Sequence, residues 1–362
     1  MYDSTIANIR DLVGNNSIYV VVDESSDCLN RSICNILVGV LSADSIQQPY
    51  LIHSAILEST NSTTVAQTIH NALQILWLGE LHYDRVLLLV SDAAPYMKKM
   101  GSSLRCLYPK LIHITCLAHG VHRVCEVVRQ QYPMINRIIA CGKQLFSKAP
   151  FRRQSFFSQT SLPLPPKVII TRWGTWLRAA FFYAEHWKAI INFVNNLKND
   201  ALPVKEFQEI IQENGDDVAL QLLQIKAHFR ILPDSIDALE NRGLTLDQQF
   251  SIIDKLQCQL QTSGQPAVTA LEKLQSVLNL NQGWCELQLM RDAIFGSSSG
   301  KWKEVYTLND VCHYKYAPMT SVEVERSFNE FKSFFRSNRC KFTDENLMKH
   351  FVISYISKRL SH

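Results

Sequence analysis

The sequence has no run of five or more Lys or Arg, no CxxC pair, and no apolar stretch near the roughly 18 residues that a membrane span needs. Its longest apolar runs, such as 86–90, are far shorter, and no basic n-region followed by an apolar h-region opens the chain. These absences argue against a membrane span, a secretory leader and a short basic nuclear address. The ten cysteines (28, 34, 106, 116, 125, 141, 258, 285, 312 and 340) are scattered rather than framed, which points to reduced intracellular thiols. No internal repeat or low-complexity tract stands out. Neither sign of charge dominates: 37 Lys and Arg face 33 Asp and Glu, and the net charge of +4 leans only slightly toward a polyanionic partner.

What is present is a folded composition, with 46% hydrophobic and 19% charged residues over 362 positions. That length fits two domains, or one elaborated domain with a long insertion. Residues 18–23 (IYVVVD) form a short β-branched run ending in an acid, and read as a buried strand. Two further strands are expected at 32–42 and 50–59, and a helix at 63–78 that Thr63 or Thr64 could cap. Residues 85–92 (RVLLLVSD) return to a buried strand that also ends in an acid; a helix at 97–107, a strand at 111–115 and a helix at 117–131 follow. The order βββαβαβα is that of the RNase H-like fold, an α/β mixed sheet in which the first and fourth strands are neighbours. From about 180 the periodicity is helical throughout, with helices expected at 181–197, 204–213, 217–227, 246–260 and 268–278. Thr245 and Gln248 have the spacing of a capping box. The expected division is a core over 1–179, an all-helical insertion over 180–310, and a C-terminal helical segment over 311–362 that completes the core. In that segment Thr320 and Glu323 have capping-box spacing, and Val324, Phe328, Phe331 and Phe335 share one face.

An acid at a strand end is more often a turn or cap residue than a functional one. Asp23 and Asp92 are more telling as a pair, because strand order makes them neighbours, and two such carboxylates repel unless a cation lies between them. Two-metal phosphoryl chemistry needs such a cluster, with ions roughly 3.5–4 Å apart. Mg²⁺ favours this hard oxygen environment.

The third carboxylate comes from a resemblance. Residues 319–328 (MTSVEVERSF) are similar to the SxxxERxFS signature of hAT transposases: Ser321, Glu325, Arg326 and Phe328 match, and Asn329 departs from the final Ser. The stretch that follows resembles the hAT dimerisation region, with Arg336, Arg339, Thr343 and Leu347 in place. SDAAPYM at 91–97 resembles the block around the family's second acid, with Ala93 where Asn is usual; CLAH at 116–119 looks like its C/D-x-x-H motif, and Thr171, Arg172 and Trp173 look like its TRW motif. The resemblance covers roughly 15–360. It implies a DDE transposase that cleaves and joins DNA at transposon ends with two Mg²⁺ or Mn²⁺ ions. Asp23, Asp92 and Glu325 would be the catalytic, metal-binding residues, and Glu323 is left as a cap. It implies that Arg172, Trp173, His119 and Arg326 contact DNA, that the C-terminal region forms a homo-oligomer, and that the protein acts in the nucleus.

Independent readings stand beside these. Cys116 and His119 could be half of a zinc site, with Cys312 and His313 as the other half, but a buried thiol beside an orienting His is favoured over zinc. Trp173 and Trp176 suit base stacking, although a Trp is more often core. Arg152, Arg153, Lys167 and Arg172 form a basic strip that could equally be a solvated face. No BED-type zinc finger precedes Ile18 and the helical insertion is short for the group. The alternative is therefore a catalytically inactive, transposase-derived module that associates with DNA or protein. An RNase H-type hydrolase of RNA–DNA hybrids is disfavoured by the TRW and SxxxER matches.

Overall fold

The computed structural model describes residues 1–362 except 170–171, 173, 199–200, 297–299, 336–342 and 361–362. In chain order its elements are α1 (Tyr2–Val13), β1 (Ile18–Ser26), β2 (Ser32–Val40), β3 (Tyr50–Leu57), α2 (Ser62–Leu76), β4 (Val86–Ser91), α3 (Pro95–Arg105), β5 (Ile112–Thr115) and α4 (Leu117–Gln131). Helices follow: α5 (Pro133–Phe146), α6 (Pro150–Thr160), α7 (Gly174–Asn195), α8 (Leu202–Phe229), α9 (Ile231–Leu239), α10 (Leu246–Thr262) and α11 (Val268–Asn279). The last four are α12 (Gln282–Ile294), α13 (Leu308–His313), α14 (Val322–Phe334) and α15 (Asp344–Leu360). None of the helices among the described residues is long and apolar enough to cross a membrane.

Two compact units divide the chain. Unit 1 comprises Met1–His119, Leu239–Ser251 and Leu278–His362; unit 2 comprises Gly120–Ala238 and Ile252–Val277. Compactness therefore divides the chain at other places than periodicity does. α5 and α6 belong to unit 2, because their apolar faces close against α7 and α8.

Unit 1 is built on a five-stranded mixed sheet of order β3-β2-β1-β4-β5. β1 pairs antiparallel with β2 and parallel with β4; β2 pairs antiparallel with β3, and β4 parallel with β5. The apolar runs Ile18–Val22 of β1 and Val86–Val90 of β4 are buried throughout, as expected of central strands covered on both faces. α14 packs on β1 and β2, and α15 on β3. The stripe of Val324, Phe328, Phe331 and Phe335 is buried, with Phe331 edge-on to Phe351 of α15 at 5.1 Å between centroids. A buried polar chain fixes α14 on the sheet. Ser54 Oγ donates to Asn35 Oδ1 (2.7 Å), Asn35 Nδ2 donates to Ser327 Oγ (2.8 Å), and Ser327 Oγ donates to the Val324 carbonyl (2.6 Å). At the far edge, Asn281 stands in for a missing strand: its amide accepts from Thr115 N–H (2.9 Å) and donates to the Thr115 carbonyl (2.8 Å).

Unit 2 is helical, around buried aromatics such as Phe146, Phe156, Phe193, Phe207 and Phe229. Gly142 of α5 is required here, because a Cβ at this position would lie 1.8 Å from the Tyr183 hydroxyl.

Several local expectations are corrected. The cap of α2 is Asn61, whose side chain accepts from Thr63 N–H and Thr64 N–H, with Thr64 completing the box. The helices expected at 204–213 and 217–227 are present, as the two parts of α8 on either side of a kink at Asn214, where φ is −137°. The segment from 319 holds two helices. The first begins at Val322 after Ser321, without a side-chain cap, so Thr320 and Glu323 form no capping box. Thr245 and Gln248 do form one.

Candidate carboxylate site

The parallel register of β1 and β4 matches Val21 with Val90, and Asp23 and Asp92 each stand two residues beyond that pair. They are therefore level on adjacent strands. Asp92 follows β4 directly, but Asp23 lies within β1, which continues antiparallel to β2 as far as Ser26. The strand end expected at Asp23 is only the end of its parallel pairing. Asp23 Oδ1 accepts from the Glu24 N–H (2.8 Å), and Asp92 Oδ1 from the Ala94 N–H (3.1 Å) at the start of α3.

Glu325 arrives from the first turn of α14, and the segment before that helix explains how. Leu117 N–H donates to the Met319 carbonyl (3.0 Å), and Ser321 N–H to Cys116 Sγ (3.2 Å), a residue 205 positions away in sequence. The Gln249 side chain clasps the same segment, accepting from Met319 N–H (2.8 Å) and donating to the Ala317 carbonyl (2.9 Å). Residues 317–321 are thereby laid along the junction of β5 and α4, and α14 starts beside His119. His119 Nε2 lies 3.3 Å from Glu325 Oε1, and its Nδ1 lies 3.5 Å from Ser321 Oγ.

The charges are coupled. Burial pushes the Asp23 carboxyl up to about 7, and Asp92 and Glu325 push it the same way, against the His119 cation and the Glu24 N–H. His119 is pushed up to about 10, first by its interaction with Cys116 and then by Glu325 and Asp23, with burial opposing. Burial raises the Cys116 thiol, but the charge of His119 and the hydrogen bonds from His119 and Ser321 outweigh it, so the thiol stands below its ordinary value. Asp23, Asp92, Glu325, His119 and Cys116 thus form one electrostatic group in unit 1, with an imidazolium among the carboxylates.

Two members escape sequence reasoning. Glu24 accepts from the Tyr96 hydroxyl, and its Oε2 is buried with no hydrogen-bond partner among the described residues. Tyr96 lies in the SDAAPYM block, which could have drawn attention to it, but Glu24 carried no signal of its own.

Glu323 is a hub rather than a cap. Its carboxylate accepts from Arg242 Nε (2.7 Å) and Nη2 (3.1 Å), from Arg359 Nη2 (3.2 Å), and from Arg326. Burial alone would raise it, but the Arg242 hydrogen bond and the three guanidinium charges hold it below the usual carboxylate range. It lines a cavity of about 240 Å³ with Tyr19, Val21, Arg242 and Arg326. Arg326, expected on DNA, is engaged with Glu323 and donates to the Glu240 carbonyl (3.1 Å). Arg172 belongs to unit 2, where its carbonyl accepts from Thr175 Oγ1 (2.8 Å). Trp173, Arg336 and Arg339 lie outside the described residues. Trp176 is 1% exposed and is core, so it offers no stacking face.

Among the described residues, no group of three or more His, Cys, Asp or Glu is placed to hold a metal ion. In the arrangement described, Glu325 is turned onto His119. No family model and no curated protein sequence matches this chain.

Proposed function

We propose that unit 1 is an RNase H-like domain related to hAT transposases, and that it transfers phosphodiesters of DNA with Asp23, Asp92 and Glu325. One observation carries the reading: carboxylates from β1, from the end of β4 and from α14 come together at one sheet edge closely enough for Asp23 to respond to both others. Strand order makes the two aspartates neighbours, but only long-range packing brings Glu325 there.

The donor chemistry fits hard divalent ions. Three carboxylates share the edge, and the buried, unpartnered Glu24 Oε2 adds another oxygen. Among the described residues these groups are not placed to hold an ion, and Glu325, paired with His119, would have to turn from it to reach one. Mg²⁺ or Mn²⁺, when bound, supplies activation of the attacking oxygen and stabilisation of the leaving one. The residues of the chain supply the rest. The backbone N–H groups of Glu24 and Ala94 fix one oxygen of each aspartate, and the His119 cation, once Glu325 has turned from it, would face phosphate oxygens. Double-stranded transposon ends are the proposed substrate, with homo-oligomerisation through the C-terminal region and action in the nucleus following from that reading.

The test is nicking and strand transfer on a terminal-inverted-repeat duplex with Mg²⁺ or Mn²⁺. The protein should be active and Asp92→Asn inactive; equal activity in the two would remove the assignment. A second reading, a transposase-derived module without catalysis, is favoured by one observation, the His119 imidazolium paired with Glu325 where an ion would need that carboxylate.

A further inference from the structure

Unit 2 holds a cavity of about 320 Å³ between α5, the start of α6, the 164–168 segment and α7. Three cationic residues line it, Lys143, Arg153 and Lys167, and no Asp or Glu does. Among the described residues, none of the three forms an ion pair. In the 240 Å³ cavity of unit 1, by contrast, Glu323 already occupies the arginines. The remaining wall of the unit 2 cavity is apolar and stiff, made by Phe146, Leu164, Pro165 and Pro166. Two consecutive prolines hold their segment extended, so this wall needs little ordering when something binds. Arg153 Nε donates to the Phe146 carbonyl (2.7 Å), which fixes its guanidinium at the cavity and leaves its other N–H groups to a ligand. One turn along α6, Phe157 is 65% exposed, and residues four apart are neighbours on a helix surface.

A concave site with uncompensated cations, a rigid apolar wall and an exposed aromatic ring nearby fits a ligand with both a phosphate and a flat, weakly polar body. We propose that this cavity binds a nucleotide unit: its phosphate is held by Lys143, Arg153 and Lys167, and its base stacks on Phe157. The choice of a nucleotide among phosphorylated ligands rests on the nucleic-acid reading of unit 1; the anion site itself does not. The unit can come from a single-stranded segment of nucleic acid or from a free nucleotide, since both present the same chemistry.

The experiment uses the full chain with excess chelator, so that the carboxylate site and any cleavage are out of play. Binding of a 5′-fluorescein-labelled oligothymidylate is followed by fluorescence polarisation across a salt series. The Lys143→Gln, Lys167→Gln double variant is compared with Lys255→Gln, which removes an exposed charge elsewhere in unit 2. Both cavity lysines are exposed, and circular dichroism checks that the variant is folded. The double variant should bind at least about tenfold more weakly, with a salt slope shallower by roughly 1.4, as two single-strand phosphate contacts contribute about 0.7 each. Phe157→Ala should weaken binding about tenfold, the size of one stacking contact. Competition by thymidine monophosphate would assign the cavity to free nucleotide, and its failure to compete to the strand. Equal affinity and slope in the double variant and the Lys255→Gln control would overturn the proposal. Because binding is read with chelator present, this outcome is separate from that of the cleavage assay.

Discussion

Asp23 is a carboxyl that the fold itself drives toward neutrality. Burial and two neighbouring carboxylates raise it to about 7, far above its value in an unfolded chain. Between about pH 4 and 7 the folded state therefore binds more protons at Asp23 than the unfolded state does, and stability falls as pH rises through that window. Asn has the same shape without the charge. Asp23→Asn should raise the melting temperature near pH 8 by a few degrees, an effect on the order of 1–2 kcal/mol, while abolishing cleavage. The gain should shrink as pH falls below about 7 and be gone near pH 4; a gain independent of pH would show that the charge of Asp23 is not its source. Glu323 has the opposite sign. Its arginines hold it below the usual range, so its contribution is complete above the unfolded-state value of about 4.3 and is lost as pH falls through the folded-state value. Glu323→Gln should cost roughly 1–3 kcal/mol by urea unfolding at pH 7, because three guanidinium groups lose their common partner, and the difference should narrow below about pH 4.

At the scale of elements, α14 carries the argument, since its first turn presents Glu325 and Glu323 and its apolar stripe sets where that turn falls. The Ser54, Asn35 and Ser327 chain pins this packing across β3, β2 and α14. Asn35→Ala removes the hydrogen bonds of Asn35 to two buried hydroxyls, which keep only the Val324 carbonyl and Met348 Sδ, and should cost about 1–3 kcal/mol. If α14 shifts as a result, nicking activity should fall by more than the loss of folded protein accounts for; a purely proportional loss would mean that the network stabilises without positioning. Much of this was legible in sequence. β1 and β4 announced themselves as β-branched and leucine-rich runs, the level placement of Asp23 and Asp92 followed from strand order, and the phenylalanine stripe of α14 lies in the core as its spacing indicated. What escaped was set by distant partners. The role of Glu323 depends on Arg242 and Arg359, 81 and 36 residues away, and local spacing offered only the bland reading of a cap. α1, α5 and α6 were not anticipated, and α9, α12 and α13 were covered only by the helical character expected of the stretch after 180, without bounds of their own. α6 buries little beyond Phe156, and α13 has six residues, so neither displays a full amphipathic period. The break between 213 and 217, by contrast, was legible, since α8 kinks at Asn214.

For the whole molecule, the deciding question is which cation balances the carboxylates of unit 1. An ion that binds only the folded chain stabilises it by RT ln(1 + [L]/Kd), about 2.7 kcal/mol at a hundredfold excess over Kd. If Asp23, Asp92 and Glu325 hold Mg²⁺ or Mn²⁺, thermal melts should rise with Mn²⁺ concentration in the unsubstituted chain and stay flat in Asp92→Asn and Glu325→Gln. Because the His119 imidazolium and the ion compete for Glu325, His119→Gln should not abolish the shift, and the competition should ease as pH rises toward 10. If the molecule has instead settled into an internal balance, with His119 as the permanent counter-charge, Mn²⁺ should leave the melt unmoved. His119→Gln should then be the damaging change, since it takes away the cation paired with Glu325. The two states differ in the sign of what His119 does for the site, a competitor in one and a structural cation in the other. A melt series of the unsubstituted chain, Asp92→Asn and His119→Gln, each with and without Mn²⁺, separates them without requiring the DNA substrate.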